Sequence, residues 1–388
     1  MESTDQIKAD VAAKLLELSD REMEYDFAKA LREAKHAFEI FEELGDYKGT
    51  FRSLMRIATI HTAIGNYQQA SEDLKRCLGM AQERQSEPDM AASLHQLGIA
   101  LQEMSNYDEA LRLYNQSLEI KRKLGDQSGI AITLHNLGMI EQRKGNYDEA
   151  LRLYNQSLEI KRKLGDQSAI ARSLNQLGMI EYLRGNYDEA RKLYNESLTI
   201  KRKLGDQSGI ASALHNLGII EYSQGNYDEA LRLYNQSLEI KRKLGDQSGI
   251  ASALHNLGII EQRKGNYDEA LRLYNQSLEI ERKLGDQSGI ASALHQLGII
   301  EQRKGNYDEA LRLYNQSLEI ERKLGDPSGI AITLHNLGHL SEKEKDFETA
   351  ERLYKEAYDI FVKIGRKRYI ELEKRNLERI QESREKKL

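Results

Sequence analysis

Histidines and side-chain amides recur through this 388-residue chain at a spacing of forty. His95, His135, His215, His255, His295 and His335 share one phase, with Asn175 in the remaining place. Directly after them run Gln96, Asn136, Gln176, Asn216, Asn256, Gln296 and Asn336. A third row, Ile99, Met139, Met179, Ile219, Ile259 and Ile299, is apolar. Imidazoles ligate metals, but one histidine per copy cannot bring two within ~2 Å of a shared ion. His335 and His339, four apart, are the only chelating spacing, and it occurs once. Neither a metal nor any other cofactor is expected. The amides suit a different chemistry. Asn and Gln each offer a donor and an acceptor, which match the N–H and C=O of an extended peptide. At ~0.5–1.5 kcal/mol per net hydrogen bond, several in a row support micromolar binding. The alternative is that they bond only neighbouring helices and water.

Basic residues form a second pattern, at Arg143, Lys144, Arg184, Arg263, Lys264, Arg303 and Lys304. They could receive acidic side chains of a bound peptide, or simply complement helix C-termini. The Lys-Arg-Lys runs at 121–123, 161–163, 201–203 and 241–243 read as solvated faces balanced by nearby acids. With a net charge of −5, nucleic acid is not an expected partner. Gly125-Asp126-Gln127-Ser128-Gly129 has the look of a phosphate loop, but no strand precedes it and it recurs as a turn. Neither Gly-x-x-x-x-Gly-Lys-Ser/Thr nor Gly-x-Ser-x-Gly occurs, so an enzyme is not expected. Cys77 is the only cysteine, which rules out an internal disulfide and a cysteine zinc site. It stands where other copies carry Ser157 or Ser237 and reads as a packing residue.

The elements that must carry these rows follow from the repeat itself. Ser208–Gln247 and Ser248–Gln287 differ only at Tyr222/Gln262, Ser223/Arg263, Gln224/Lys264 and Lys241/Glu281. Gly-Asn-Tyr begins at Gly65, Gly145, Gly185, Gly225, Gly265 and Gly305, and related triplets at Tyr25, Ser105 and Lys345 keep the phase. That makes nine copies without insertion or deletion. Residues 1–46 form a divergent N-terminal repeat, 47–325 the array, 326–365 a last divergent repeat, and 366–388 a charged capping helix or tail.

Each copy reads as two helices of ~15–18 residues, ~22–27 Å long. Asp126 is placed to cap the first, and Pro327 takes the favoured first helical position in a later copy. Gly145 and Gly165 suit left-handed helix ends. Asn146-Tyr147-Asp148-Glu149 fits a capping box, with Glu149 reaching back. Ile130, Leu134, Leu137 and Ile140 make one apolar stripe on the first helix. The second helix carries two, Tyr147, Ala150, Leu151, Tyr154 and Leu158, then Leu153, Ile160 and Leu164. Two stripes need two neighbours, so copies must stack. Gly138 and Ala150 are small where two helices would come close.

Leu134-x-x-Leu137-Gly138 followed by Gly145-x-Tyr147-x-x-Ala150-x-x-x-Tyr154 resembles the tetratricopeptide repeat, over about residues 5–365. The period is forty rather than the commoner 34, and the usual proline closing the second helix is absent. This longer form is similar to the repeats of kinesin light chain, the Pins/LGN polarity adaptors and Rap-type peptide receptors. The resemblance implies an all-α, right-handed solenoid superhelix of about nine helix-turn-helix repeats with a C-terminal capping helix. It also implies that first helices line a concave face, where Ile132, His135, Asn136, Met139, Gln142 and Arg143 would lie.

The function that follows is a non-enzymatic scaffold or adaptor, binding a peptide segment of another protein, one with acidic side chains, in that groove. A sensor of a free short peptide or small molecule, and a self-assembling scaffold, are the alternatives. Arg172, Asn175, Tyr182 and Tyr222 depart from the commonest residue at groove slots and suggest a side-chain pocket. The ends are oppositely charged, −7 over residues 1–46 and +5 over residues 363–388. Exposed pairs are weak and screened, so any head-to-tail self-association would be weak and salt-sensitive. The start, MESTDQIKAD, does not read as a targeting signal. No apolar run nears the ~20 residues of a membrane helix. Mean hydropathy is −0.67, and a cytoplasmic location without membrane insertion is the expectation.

Overall fold

A computed structural model describes residues 4–385, and these form nineteen α-helices and no strand. Glu2, Lys386 and Lys387, which enter the end charges above, lie outside the described residues. The chain divides into two compact units, residues 1–200 and 201–388. The first holds α1(Thr4–Glu22), α2(Phe27–Glu43), α3(Tyr47–Ala63), α4(Tyr67–Glu83), α5(Glu87–Glu103), α6(Tyr107–Leu124), α7(Gln127–Arg143), α8(Tyr147–Leu164), α9(Gln167–Leu183) and most of α10(Tyr187–Leu204). The second holds α11(Gln207–Ser223), α12(Tyr227–Leu244), α13(Gln247–Lys264), α14(Tyr267–Leu284), α15(Gln287–Lys304), α16(Tyr307–Leu324), α17(Pro327–Lys343), α18(Phe347–Lys363) and α19(Lys367–Glu385). The nine helix pairs and one further helix match the repeat expectation.

Helix ends are set by the residues the period supplies. Asp126 Oδ1 accepts from the Gly129 N–H at 2.8 Å, and Asp246 does the same for Gly249 at 2.8 Å. Pro327 sits at the first position of α17. Gly145 and Gly165 hold φ of +81° and +74°, conformations cheap only for glycine. The expected capping box does not form. Asn146 Nδ2 donates to Glu141 Oε2 at 2.7 Å, and Glu149 is held instead by Arg152 at 2.7 Å. A bond to a carboxylate outcompetes a neutral cap. Asp26 and Asp346 in the same slot lack the amide donor, and they do cap, accepting from Lys29 and Thr349 N–H groups.

Within each unit, a first helix is held between two second helices. Ile130, Leu134, Leu137 and Ile140 of α7 are buried with Ala110, Tyr114 and Leu118 of α6 and Leu153 of α8. Leu164, expected in the second stripe, is half exposed, because it is the last residue before the Gly165 cap and reaches past the packed face. Ser157 Oγ donates to the Ala131 carbonyl at 2.6 Å, and Ser237 to Ala211 at 2.8 Å, stapling each second helix to its first. Gly138 is small for a different reason than helix contact. A methyl group there would meet the buried Tyr154 ring at 3.0 Å. Cys77 is fully buried, and burial pushes its thiol up to about 12, so it packs as an inert side chain. At the far end of the second unit, α19 buries Ile380 against Ala350 and Tyr354 of α18, and Arg379 pairs with Glu342 at 2.7 Å.

The tyrosine seat makes a prediction whose sign is informative. Alanine is a better helix former than glycine by ~1 kcal/mol. At Gly258, however, a methyl would lie 2.8 Å from the fully buried Tyr274 ring, and overpacking costs ~1–3 kcal/mol. Gly258→Ala should therefore lower the denaturation midpoint. Adding Tyr274→Leu should make the alanine better tolerated than it is beside tyrosine. A rise in stability from Gly258→Ala alone would contradict the packing described.

Candidate functional site

The histidine row lies on the same tyrosines. His135 packs on Tyr154 with ring centroids 5.0 Å apart, His215 on Tyr234 at 5.1 Å, and His255 on Tyr274 at 5.2 Å. His95 and His295 are buried, the others half-buried. Loss of hydration pushes His95 down to about 3, and His135, His215, His255 and His295 to about 4. These imidazoles are neutral at pH 7.

Three amides of the second row meet the histidine of the copy before them. Asn136 Nδ2 lies 3.4 Å from His95 Nε2, Asn256 3.3 Å from His215 Nε2, and Asn336 3.1 Å from His295 Nε2. One amide hydrogen is thereby spent on the fold. Gln96, Gln176, Asn216 and Gln296 are likewise half-buried on the first helices. His335 Nδ1 contacts Glu373 of α19 at 2.6 Å, and His339 Nδ1 contacts Gln302 at 2.7 Å. Among the described residues no cluster of three ligating side chains could hold a metal.

In the second unit several of the singled-out residues converge. Tyr222, Gln262, Arg263, Tyr267, Gln296 and Arg303 line a cavity of about 560 Å³. Arg263 Nε donates to the Tyr222 hydroxyl at 3.3 Å, and Arg303 Nη1 to the Tyr267 hydroxyl at 3.3 Å. The neighbouring lysines behave differently. Lys264 pairs with Asp228 and Lys304 with Asp268, each at 2.8 Å. The cavity is therefore lined by two guanidiniums bonded to phenols. Tyr222 packs on Tyr227 at 5.8 Å. In the equivalent place Gln262 accepts from the Tyr274 hydroxyl at 2.9 Å, so the glutamine slot ordinarily serves the core.

In the first unit Tyr182 packs on Tyr187 at 5.6 Å, and Arg172 donates to Ser168 Oγ at 3.1 Å, with Asn175 half-buried nearby in sequence. Arg143 is exposed and stands 4.0 Å from Glu103.

Lys121, Lys161, Lys201 and Lys241 open the basic runs whose pattern predicts solvated faces, yet each is buried. Helical period separates them from the next two cations and sets them four residues after Ser117, Ser157, Ser197 and Ser237, on the inner face. Lys121 Nζ donates to Thr133 Oγ1 at 2.9 Å, and Lys161 Nζ to Ser173 Oγ at 2.8 Å. Burial, aided by Arg172, lowers Lys161 to about 8.

The buried histidines fix a pH dependence. Their folded pKa values of 3 to 4 lie below the ~6.5 of an unfolded histidine. Between those limits the unfolded chain binds more protons, so stability falls as pH drops from about 6.5 towards 4. Each such histidine contributes up to ~1.4 kcal/mol per pH unit. Glu281 and Glu321, raised by burial, act in the opposite sense at the acid end. Thermal midpoints measured from pH 7.5 to 4.5 should decline steadily below about 6.5. His255→Asn, which copies the Asn175 slot, should make the decline shallower. A flat profile down to pH 5 would show the histidines to be accessible to protons in the folded state.

Models of the tetratricopeptide repeat match residues 51–84, 89–163, 169–243, 249–323 and 289–363. No curated protein matches the sequence. Among solved structures the chain is similar to the apo form of RapI, with TM-score 0.69 and 16% identity, covering 92% of this chain and 98% of that one. The apo quorum sensor NprR from B. thuringiensis gives TM-score 0.67 at 15% identity, with coverage of 92% and 98%. A Rap protein complexed with Competence and Sporulation Factor gives TM-score 0.57 at 17% identity, with coverage of 92% and 99%. At these identities the likeness is one of fold. With repeat models matched over most of its length and helix pairs in the same phase throughout, the chain belongs to the tetratricopeptide repeat family.

Proposed function

We propose that this chain is a non-enzymatic binding module that holds a peptide segment of another protein against its first helices. The observation that carries the reading is the cavity of the second unit, where Arg263 and Arg303 lie beside Tyr222 and Tyr267. Phenol hydroxyls do not neutralise a guanidinium. An aspartate or glutamate of the ligand would do so, by a charge-assisted bond made in a partly enclosed space. Tyr222 and Tyr267 then supply rigid faces for the ligand's apolar atoms. Asn256 and Asn336 each retain a second amide hydrogen and a carbonyl for the peptide backbone. The Rap protein complexed with Competence and Sporulation Factor supports a ligand-binding use of this fold.

A displayed library of random dodecapeptides, selected on the purified protein, tests the proposal. Selected peptides should be enriched in Asp and Glu. Arg263→Gln with Arg303→Gln should weaken them about tenfold or more, the range of a bond to a charged group. Tyr222→Gln, which restores the glutamine of Gln262 and Gln302, should weaken them without lowering the thermal midpoint. Selection of no peptides, or binding indifferent to all three substitutions, would sink the reading.

A further inference from the structure

One buried slot changes sign along the array. Lys121, Lys161, Lys201 and Lys241 occupy it in four copies, and Glu281 and Glu321 in two. All six are buried, at 6–8% exposure. Two copies of opposite sign have matching surroundings, His95, Thr133 and Asp126 at Lys121 and His295, Thr333 and Asp326 at Glu321. His95 Nδ1 lies 3.2 Å from Thr133 Oγ1, and His295 Nδ1 lies 2.8 Å from Thr333 Oγ1. Lys121 Nζ donates to Thr133 Oγ1 at 2.9 Å, whereas Thr333 Oγ1 lies 3.1 Å from Glu321 Oε1 and donates to it.

The lysine copies show what this slot accepts. There an ammonium and the carboxylate of Asp126 share the site; burial lowers the lysine's pKa, and the acid opposes that by favouring the charged form. In the Glu321 copy two carboxyls meet instead. A methyl group built on Gly329 would lie 2.6 Å from Asp326 Oδ2 and 3.1 Å from the Glu321 carboxyl carbon. Both acids thus border one point. Thr333 donates to Glu321 Oε1 and Ser317 Oγ lies 3.0 Å from it, but Oε2 is buried with no hydrogen-bond partner among the described residues. Glu321, Asp326, Gly329, His295, Ser288 and Ser292 line a cavity of about 280 Å³. No lysine or arginine lines it. A buried unpaired carboxylate is costly, and a cation beside it removes most of that cost.

We propose that the Glu321–Asp326 cavity is a binding site for a primary ammonium supplied from outside the chain, a lysine side chain of the bound segment. It takes the place that the array's own ammonium takes at Lys121. The source of the lysine rests on the peptide-binding reading above, but the cavity's preference for an ammonium does not. The ammonium lies between the Glu321 and Asp326 carboxyls, with Ser288 and Ser292 hydroxyls at the cavity wall. Together with Arg263 and Arg303 it makes the first-helix side of this unit selective for a segment carrying both charge signs.

The test needs no peptide partner. Nα-acetyl-lysine methylamide is titrated into the full chain carrying methyl-labelled isoleucine, and the Ile332 signal, which borders the cavity, is assigned by Ile332→Val. The lysine probe should shift Ile332 at millimolar concentration, about 10 mM or below, and the norleucine analogue should not. Glu321→Lys installs the residue of the Lys121 copy, so it should fold, raise the thermal midpoint and abolish the shift. Glu321→Gln should weaken the probe at least tenfold. Equal shifts from lysine and norleucine probes, or an undiminished lysine shift in Glu321→Lys, would overturn the site. Spermidine binding tenfold more tightly than the lysine probe would overturn the assignment to a side chain. Failure here with acidic peptides still selected at Arg303 would leave the peptide-binding reading standing, and the reverse result would remove that reading alone.

Discussion

A tyrosine ring lying on a glycine is the contact on which each helix pair from α5 to α18 is built. Tyr154 on Gly138, Tyr234 on Gly218, Tyr274 on Gly258 and Tyr314 on Gly298 recur with ring carbons about 3 Å from where a side chain would begin. The ring fills the space between the paired helices and sets their separation. Its face receives the histidine of the first helix. Its hydroxyl is bound by the glutamine seven residues after that histidine, as Gln262 does for Tyr274 and Gln302 for Tyr314. His95, His215 and His295 then hold the next copy's amide. Residues that would touch a ligand are therefore placed by the core, through one ring, rather than by loops.

The fold could be read from the sequence because its determinants are local and repeated. Asp126 capping, the Gly145 and Gly165 turns and the Ile130–Leu137 stripe each depend on residues within one helix turn or one neighbour, and the unbroken period copies them. The failures have one cause. Asn146 prefers Glu141 to its own helix, and Lys121 faces Thr133 rather than water, because a partner twelve residues away or a carboxylate in the preceding turn competes with the local rule. Sequence spacing ranks neighbours along a helix but not across a helix pair. The amide row shows the same limit, since its histidine partners stand forty-one residues away.

Glu281 and Glu321 reveal how the repeat tolerates a change that a single globular core would resist. Exchanging a buried lysine for a buried glutamate reverses charge beside Asp286 or Asp326, and raises the carboxyl pKa through burial first and the neighbouring acid second. Ser277 and Ser317 offset part of the cost. Each serine already donates to the carbonyl of its first helix and also stands within hydrogen-bond reach of the new carboxyl. The hydroxyls of this slot serve either sign, because they can accept from an ammonium or donate to a carboxylate.

Near-identity between copies sorts their residues by duty. Positions shared by the central copies, such as the tyrosine, its glycine and the stapling serine, are committed to internal contacts and cannot distinguish one ligand from another. Selectivity must come from slots where a copy departs and the helix pair still closes. Tyr222 is such a slot, since the two copies after it keep a glutamine that the core tyrosine uses, while Tyr222 turns its ring to Tyr227 and its hydroxyl to Arg263. Glu321 is another, with one oxygen spent on the fold and the other unspent. Both lie in the second unit and both border cavities. The chemistry they add to an otherwise uniform surface is opposite in sign, a guanidinium pair at one and a carboxyl pair at the other. On the proposed reading, a ligand matched to both would gain twice over, whereas one matched to neither would meet only half-buried amides, some of whose hydrogens the fold already uses.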